Sequence, residues 1–164
     1  MIFLSKSVEE TNKIAADFLN KITDQLGGTQ GEAVLATTVG LFGDLGSGKT
    51  TFTQAIAKNL GVEQVVTSPT FVIMKRYEVS SIKYPVLNTQ YPILNTKYSN
   101  LIHIDAYRLD LGQELLSLDF AEILKDPKNL ILIEWPERVA EILPKNLIKI
   151  NFKFISETER EIEL

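Results

Sequence analysis

The chain has 164 residues, 45% hydrophobic and 23% charged, with no cysteine and a formal charge of −4. That is enough length for one domain with a real core; the missing cysteines exclude disulfides and thiolate metal sites, and the net negative charge argues against gripping a nucleic-acid backbone alone. No run has the length of a membrane span, and MIFLSKSVEE lacks the cationic start and long apolar centre of a signal peptide, so a cytoplasmic protein without membrane contact is expected.

In chain order, Ser7-Val8-Glu9-Glu10 fits a capping box, with Ser at the cap and Glu three residues later. Ile14, Ala15, Phe18, Leu19 and Ile22 then mark the apolar face of a helix that Gly27-Gly28 stops. Thr11, on its first turn, reads as a surface residue, with a nucleotide base as the other candidate neighbour. Val34 to Phe42 is apolar and β-branched, a buried strand, and Thr50 to Leu60 has helical spacing closed by Gly61. Between them Gly43-Asp44-Leu45-Gly46-Ser47-Gly48-Lys49-Thr50 matches G-x-x-x-x-G-K-[ST]. Glycines let such a loop bring its N–H groups against phosphate oxygens, and the following helix offers further free N–H groups to the same anion. Lys49 has the reach for β- and γ-phosphates, and the Thr50 hydroxyl suits Mg²⁺. Strand, glycine loop and helix together predict a nucleoside-triphosphate site.

Val62 to Val66 leads into Thr67-Ser68-Pro69-Thr70, where Pro69 forbids helix. An ordinary hydroxyl-rich turn is the simpler reading of so short a string; its place after a nucleotide element also suits a segment that senses the γ-phosphate. Phe71 to Val79 reads as a strand. Tyr84 to Lys97 holds a tandem heptad, YPVLNTQ then YPILNTK. Pro and Asn-Thr in each copy exclude a coiled coil, so the repeat is expected to lengthen a hairpin over 78–100, as a surface loop without chemistry.

Leu101 to Asp105 reads as a strand ending in a carboxylate. His103, on the same strand face as Asp105, suits a packed or hydrogen-bonded structural role, and Arg108 suits an ion pair before a phosphate contact. Gln113 to Lys125 reads as one helix. Leu130 to Glu134 is a second buried strand ending in a carboxylate; Trp135 after it suits core packing, with the nucleotide as an alternative neighbour. Pro136 to Leu143 reads as a helix with Pro at its first turn, and Leu147 to Ile155 with Arg160 to Leu164 as an antiparallel pair around a Glu157-Thr158-Glu159 turn. Ligands gather where parallel strands end, so of Asp105 and Glu134 one is expected to hold Mg²⁺ and the other to orient an attacking water. No Ser/His/Asp set or metal-binding His pair appears in the sequence.

GDLGSGKTT at 43–51, TSPTF at 67–71, HIDAYRL at 103–109 and EWPE at 134–137 stand in the order and spacing of the TsaE family, which the chain resembles over nearly its whole length. The resemblance implies an α/β, three-layer P-loop NTPase fold over 1–164, with a mostly parallel central sheet, antiparallel C-terminal strands and flanking helices. It implies a Mg²⁺-dependent ATPase required for the threonylcarbamoyladenosine modification of tRNA. Such a protein acts with the TsaD–TsaB complex, resets it through ATP binding and hydrolysis, is weak alone, and meets tRNA only through that complex. On this resemblance Gly43, Asp44, Leu45, Gly46, Ser47, Gly48, Lys49, Thr50 and Thr51 hold the nucleotide, and Thr50 and Glu134 hold Mg²⁺. Asp105 looks like the catalytic carboxylate, supported by Lys49 and Glu134, and Thr67, Ser68, Pro69 and Thr70 like the switch. Thr11 and Arg160 map to residues that touch the nucleotide. Ser47 stands where many relatives have Ala, and the 84–97 insertion lengthens the segment between the switch and the Asp105 strand. Two rival readings remain: a small-molecule kinase, for which no Arg-bearing lid is visible, and a nucleotide-gated binding module with incidental hydrolysis.

Overall fold

A computed structural model describes residues 1–24, 35–80 and 96–164. The first helix, α1 (Val8–Asp24), starts where the capping box places it: Ser7 Oγ accepts the Glu10 N–H, and the Glu10 carboxylate reaches back to the Lys6 N–H. Gly27-Gly28, Val34 and most of the tandem heptad lie outside the described residues. Ahead of α1 stands a strand that sequence reasoning misses, β1 (Ile2–Ser5). There follow β2 (Thr37–Phe42), α2 (Lys49–Asn59), β3 (Met74–Glu78), β4 (Asn100–Asp105), α3 (Gly112–Leu116), α4 (Phe120–Lys125), β5 (Asn129–Glu134), a 3₁₀ segment (Pro136–Ile142), β6 (Ile148–Phe154) and β7 (Arg160–Glu163).

The seven described strands form one sheet in the order β1-β7-β6-β2-β5-β4-β3. Its centre, β6-β2-β5-β4, is parallel; β3 against β4, β7 against β6 and β1 against β7 are antiparallel. Glu78 lies opposite Asn100, so the segment between β3 and β4 joins the arms of a hairpin. Alternation sorts side chains into two layers. Val39, Leu41, Leu101, Leu130 and Leu132 pack with Phe18, Phe52 and Ile56 of α1 and α2. Ile102, Ile104, Ile131 and Ile133 face Leu115, Phe120 and Val139 on the other side. The four apolar residues of β5 from Leu130 to Ile133 have no exposed surface. At about 1.5–3 kcal/mol for each buried side chain, they make β5 a rigid rail for Glu134 at its end.

Three elements differ from the sequence reading. The strand expected from Phe71 begins only at Met74, because the Val72 and Ile73 N–H groups both donate to the Pro69 carbonyl and close a turn, leaving Ile73 at φ +66°. The helix expected over 113–125 is two. Along one continuous helix, Leu115 and Phe120 would point about 140° apart. Asp119, at φ +60°, breaks it and lets both side chains enter the same core layer. The third, after Trp135, is 3₁₀ rather than α-helical, with Val139 off helical geometry and buried.

Candidate functional site

The parallel centre determines what meets at its C-terminal edge. Asp105 ends β4, Glu134 ends β5, and the two are register partners; Leu41 of β2 pairs with Glu134, two residues before the glycine loop begins. Both carboxylates are nearly buried, on the sheet face shared with α2. The loop turns sharply at Gly43, which lies at φ +137° and so close to β6 that a Cβ there would sit 2.3 Å from the Phe152 carbonyl oxygen. Only glycine fits that approach.

Lys49, first residue of α2, is buried. Its ammonium donates to the carbonyls of Gly43 at 2.7 Å and Asp44 at 2.9 Å, and stands 4.2 Å over the Trp135 ring. Burial pushes its pKa below the ordinary lysine value, against the opposing pull of the Glu134 and Asp105 carboxylates. Thr50 Oγ1 donates to Glu134 Oε1 at 2.8 Å, and the same oxygen lies 2.8 Å from His103 Nε2. Asp105 accepts the Tyr107 N–H at 3.0 Å on Oδ1, and the hydroxyls of Ser68 and Thr70 on Oδ2. The hydroxyl-rich turn therefore docks on Asp105 through two of its members. Thr67 turns away to accept Lys75 Nζ, and Pro69 supplies the carbonyl that closes the turn.

A cleft of about 610 Å³ runs along this edge. Its lining includes Leu45 to Thr51, Ser68, Thr70, Asp105 and Glu134, together with Thr11 and Arg160. Gly43 and Asp44 are not part of this lining; their carbonyls accept the Lys49 ammonium. Thr11 is buried rather than on the surface, its hydroxyl 2.7 Å from Ser5 Oγ. Arg160 reaches across to the loop, donating from Nε to the Gly46 carbonyl at 3.1 Å. Arg108, expected in an ion pair, instead stacks 4.5 Å over the exposed Phe71 ring.

Sequence reasoning misses several parts of the cleft's lining: Ser5 to Val8, Glu157 and Thr158, and Tyr107 beside Trp135. Of these, only the capping Ser7 and the turn Glu157-Thr158 stand out along the chain, and for local reasons. Trp135 packs at the cleft, against Lys49 and Tyr107, and not in the core alone.

In chemical terms, the edge combines a backbone cradle, a buried ammonium, and an oxygen donor set of one hydroxyl and two carboxylates. Hard oxygen donors suit Mg²⁺, which is commonly held by one or two carboxylates together with phosphates. Among the described residues no three His, Cys, Asp or Glu side chains gather into a metal cage. This donor set therefore fits a metal held jointly with a polyphosphate.

A family model described as "Threonylcarbamoyl adenosine biosynthesis protein TsaE" matches residues 5–162. A Bacillus subtilis protein named "tRNA threonylcarbamoyladenosine biosynthesis protein TsaE" is 37% identical over 122 residues, 74% of this chain and 65% of its own length, just under two thirds. A Borreliella burgdorferi protein of the same name is 35% identical over 125 residues, 76% of this chain and 77% of its own. The crystal structure of YdiB from Bacillus subtilis superposes with a TM-score of 0.63 at 30% identity, covering 99% of this chain and 82% of that one. The fold is thus the P-loop fold of that neighbour. Among the described residues, no helix is long and apolar enough to cross a membrane.

Proposed function

The chain belongs to the TsaE family, and from that premise we propose that it is a Mg²⁺-dependent ATPase of tRNA threonylcarbamoyladenosine biosynthesis, working with the TsaD–TsaB complex. The observation that carries the reading is the meeting, in one cleft, of the loop from Leu45 to Thr50 with the two strand-end carboxylates. The loop amides and Lys49 bind the phosphates; Thr50 and Glu134 would hold a metal, which would supply charge neutralisation to the polyphosphate. Asp105 orients a water and accepts its proton as the water oxygen bonds to the γ-phosphorus. The bond from that phosphorus to the β–γ bridging oxygen breaks, and ADP and phosphate leave. Ser68 and Thr70, bonded to Asp105, tie the switch segment to the same carboxylate, so a change at the γ-phosphate reaches a surface a partner can read. Thr11 and Arg160, which line the same cleft, contact the rest of the nucleotide.

The test measures phosphate release, nucleotide binding and tRNA modification for the wild type and Asp105→Ala, with and without TsaD–TsaB. Slow hydrolysis alone, stimulation by the pair, and an Asp105→Ala variant that binds ATP without hydrolysing it or sustaining repeated modification are expected. Equal rates with and without the pair would remove the partnership. Full modification by a hydrolysis-dead variant would make the protein a nucleotide-gated binding module. Phosphate recovered on an acceptor would make it a kinase.

A further inference from the structure

His103 is the chain's one histidine and has no exposed surface. On β4 it pairs in register with Leu132, so Glu134 on β5 is its diagonal neighbour, a separation an imidazole spans. Its Nε2 lies 2.8 Å from Glu134 Oε1, while Nδ1 is buried without a partner among the described residues. An ionised carboxylate only accepts hydrogen bonds, so the shared proton belongs to Nε2. A buried polar atom left unpaired is costly and uncommon. Here the ring commits its Nε2 side to Glu134. Oε1 thus receives Thr50 Oγ1 and His103 Nε2, each at 2.8 Å, and Oε2 receives neither.

We propose that His103 is a positioning residue for Glu134: by donating from Nε2 to Oε1 it stops the carboxyl from rotating, so that Oε2 is the oxygen left for the metal. Thr50 alone does not achieve this, because its hydroxyl rotates and is itself assigned to the metal; the imidazole is held rigidly in the core. The inference rests on the reading of Glu134 as the metal-side carboxylate. It accounts for the spacing in His103-Ile104-Asp105: alternate positions on one strand place the orienting ring and the catalytic carboxylate on the same face.

Two measurements test it. With a single histidine, the ¹⁵N spectrum of the wild-type protein holds one pair of ring nitrogens; a protonated Nε2 and an unprotonated Nδ1 are expected, and the opposite tautomer overturns the proposal. The second is Mn²⁺ affinity of the ADP complex, read by electron paramagnetic resonance beside metal-free ADP affinity. His103→Leu is expected to weaken Mn²⁺ binding by about 10- to 100-fold, the usual effect of losing a group that orients a metal ligand, and to leave metal-free ADP binding unchanged. His103→Gln, whose amide nitrogen reaches the place of Nε2, is expected to restore most of the loss. Equal loss in both variants, or a matching loss of metal-free ADP binding, overturns the proposal. Glu134→Gln in the same titration separates the two layers. If it leaves Mn²⁺ affinity unchanged, the metal reading of Glu134 falls and this inference with it; if it weakens Mn²⁺ while His103→Leu does not, this inference alone falls.

Discussion

Gly43→Ala is the perturbation whose cost follows most directly from the geometry. A methyl group built at Gly43 lies 2.3 Å from the Phe152 carbonyl oxygen and 3.0 Å from Ser47 Oγ, and side-chain carbons essentially never come within 3.0 Å of such atoms, so the backbone has to part by at least 0.7 Å. Neither side gives easily. Phe42 is in register with Asn151 in the parallel β2–β6 ladder, and Phe152 is paired with Ile162 of β7. Gly46, at φ +77° with nothing within 4 Å of where a methyl group would stand, provides the control: Gly46→Ala meets backbone strain without a clash. That strain alone costs about 1 kcal/mol. At Gly43 the strained backbone costs about 1–3 kcal/mol and the forced overlap about another 1–3. The expected gap between the two alanine variants is therefore about 1–5 kcal/mol. At roughly 2–4 °C per kcal/mol for a chain of this length, Gly43→Ala should melt about 2–20 °C below Gly46→Ala by circular dichroism. Equal melting temperatures for the two variants would refute the close approach of β6 to the loop.

Lys49→Ala removes the ammonium assigned to the phosphates, and a charge-assisted contact of this kind is worth about 1.5–3 kcal/mol; fluorescent-nucleotide titration should show affinity falling by about 10- to 100-fold. Affinity unchanged from wild type would contradict the phosphate role. Tyr98 is buried, and its hydroxyl donates to Thr37 Oγ1 at 2.9 Å; burial raises its pKa above the ordinary 10.0, against the smaller lowering effect of that bond. The unfolded chain therefore loses this proton first, so the contribution is intact below about pH 10 and is lost as pH rises through the higher folded value. Tyr98→Phe should cost about 1 kcal/mol at neutral pH and flatten the alkaline fall in stability, both readable from urea unfolding across pH. An alkaline limb identical to wild type would contradict the burial assigned to that hydroxyl.

Much of the site can be read along the chain because it depends on neighbours in sequence. A phosphate loop needs strand, glycines and helix in immediate succession, and Leu41 through Thr50 supply them within ten positions. Asp105 and Glu134 are visible because each closes an apolar run, and runs that end together in a parallel sheet bring their last residues to one edge. The antiparallel tail shows its alternation, and β6 and β7 form around the expected turn. The four residues of β1 carry no such signal. A strand that short is stabilised by its partner, and its partner β7 lies at the opposite end of the chain.

Periodicity and turn chemistry, being local, determined which backbone segments this sequence forms and where its anion-binding loop falls. The tertiary structure decided the meetings: Lys49 over Trp135, Ser68 and Thr70 on Asp105, His103 and Thr50 on one oxygen of Glu134, and Ser5 paired with Arg160 beside the glycine loop. Those contacts depend on strand order and register, which are set by how the two faces of the sheet bury their apolar rows, and no window of neighbouring residues contains that information.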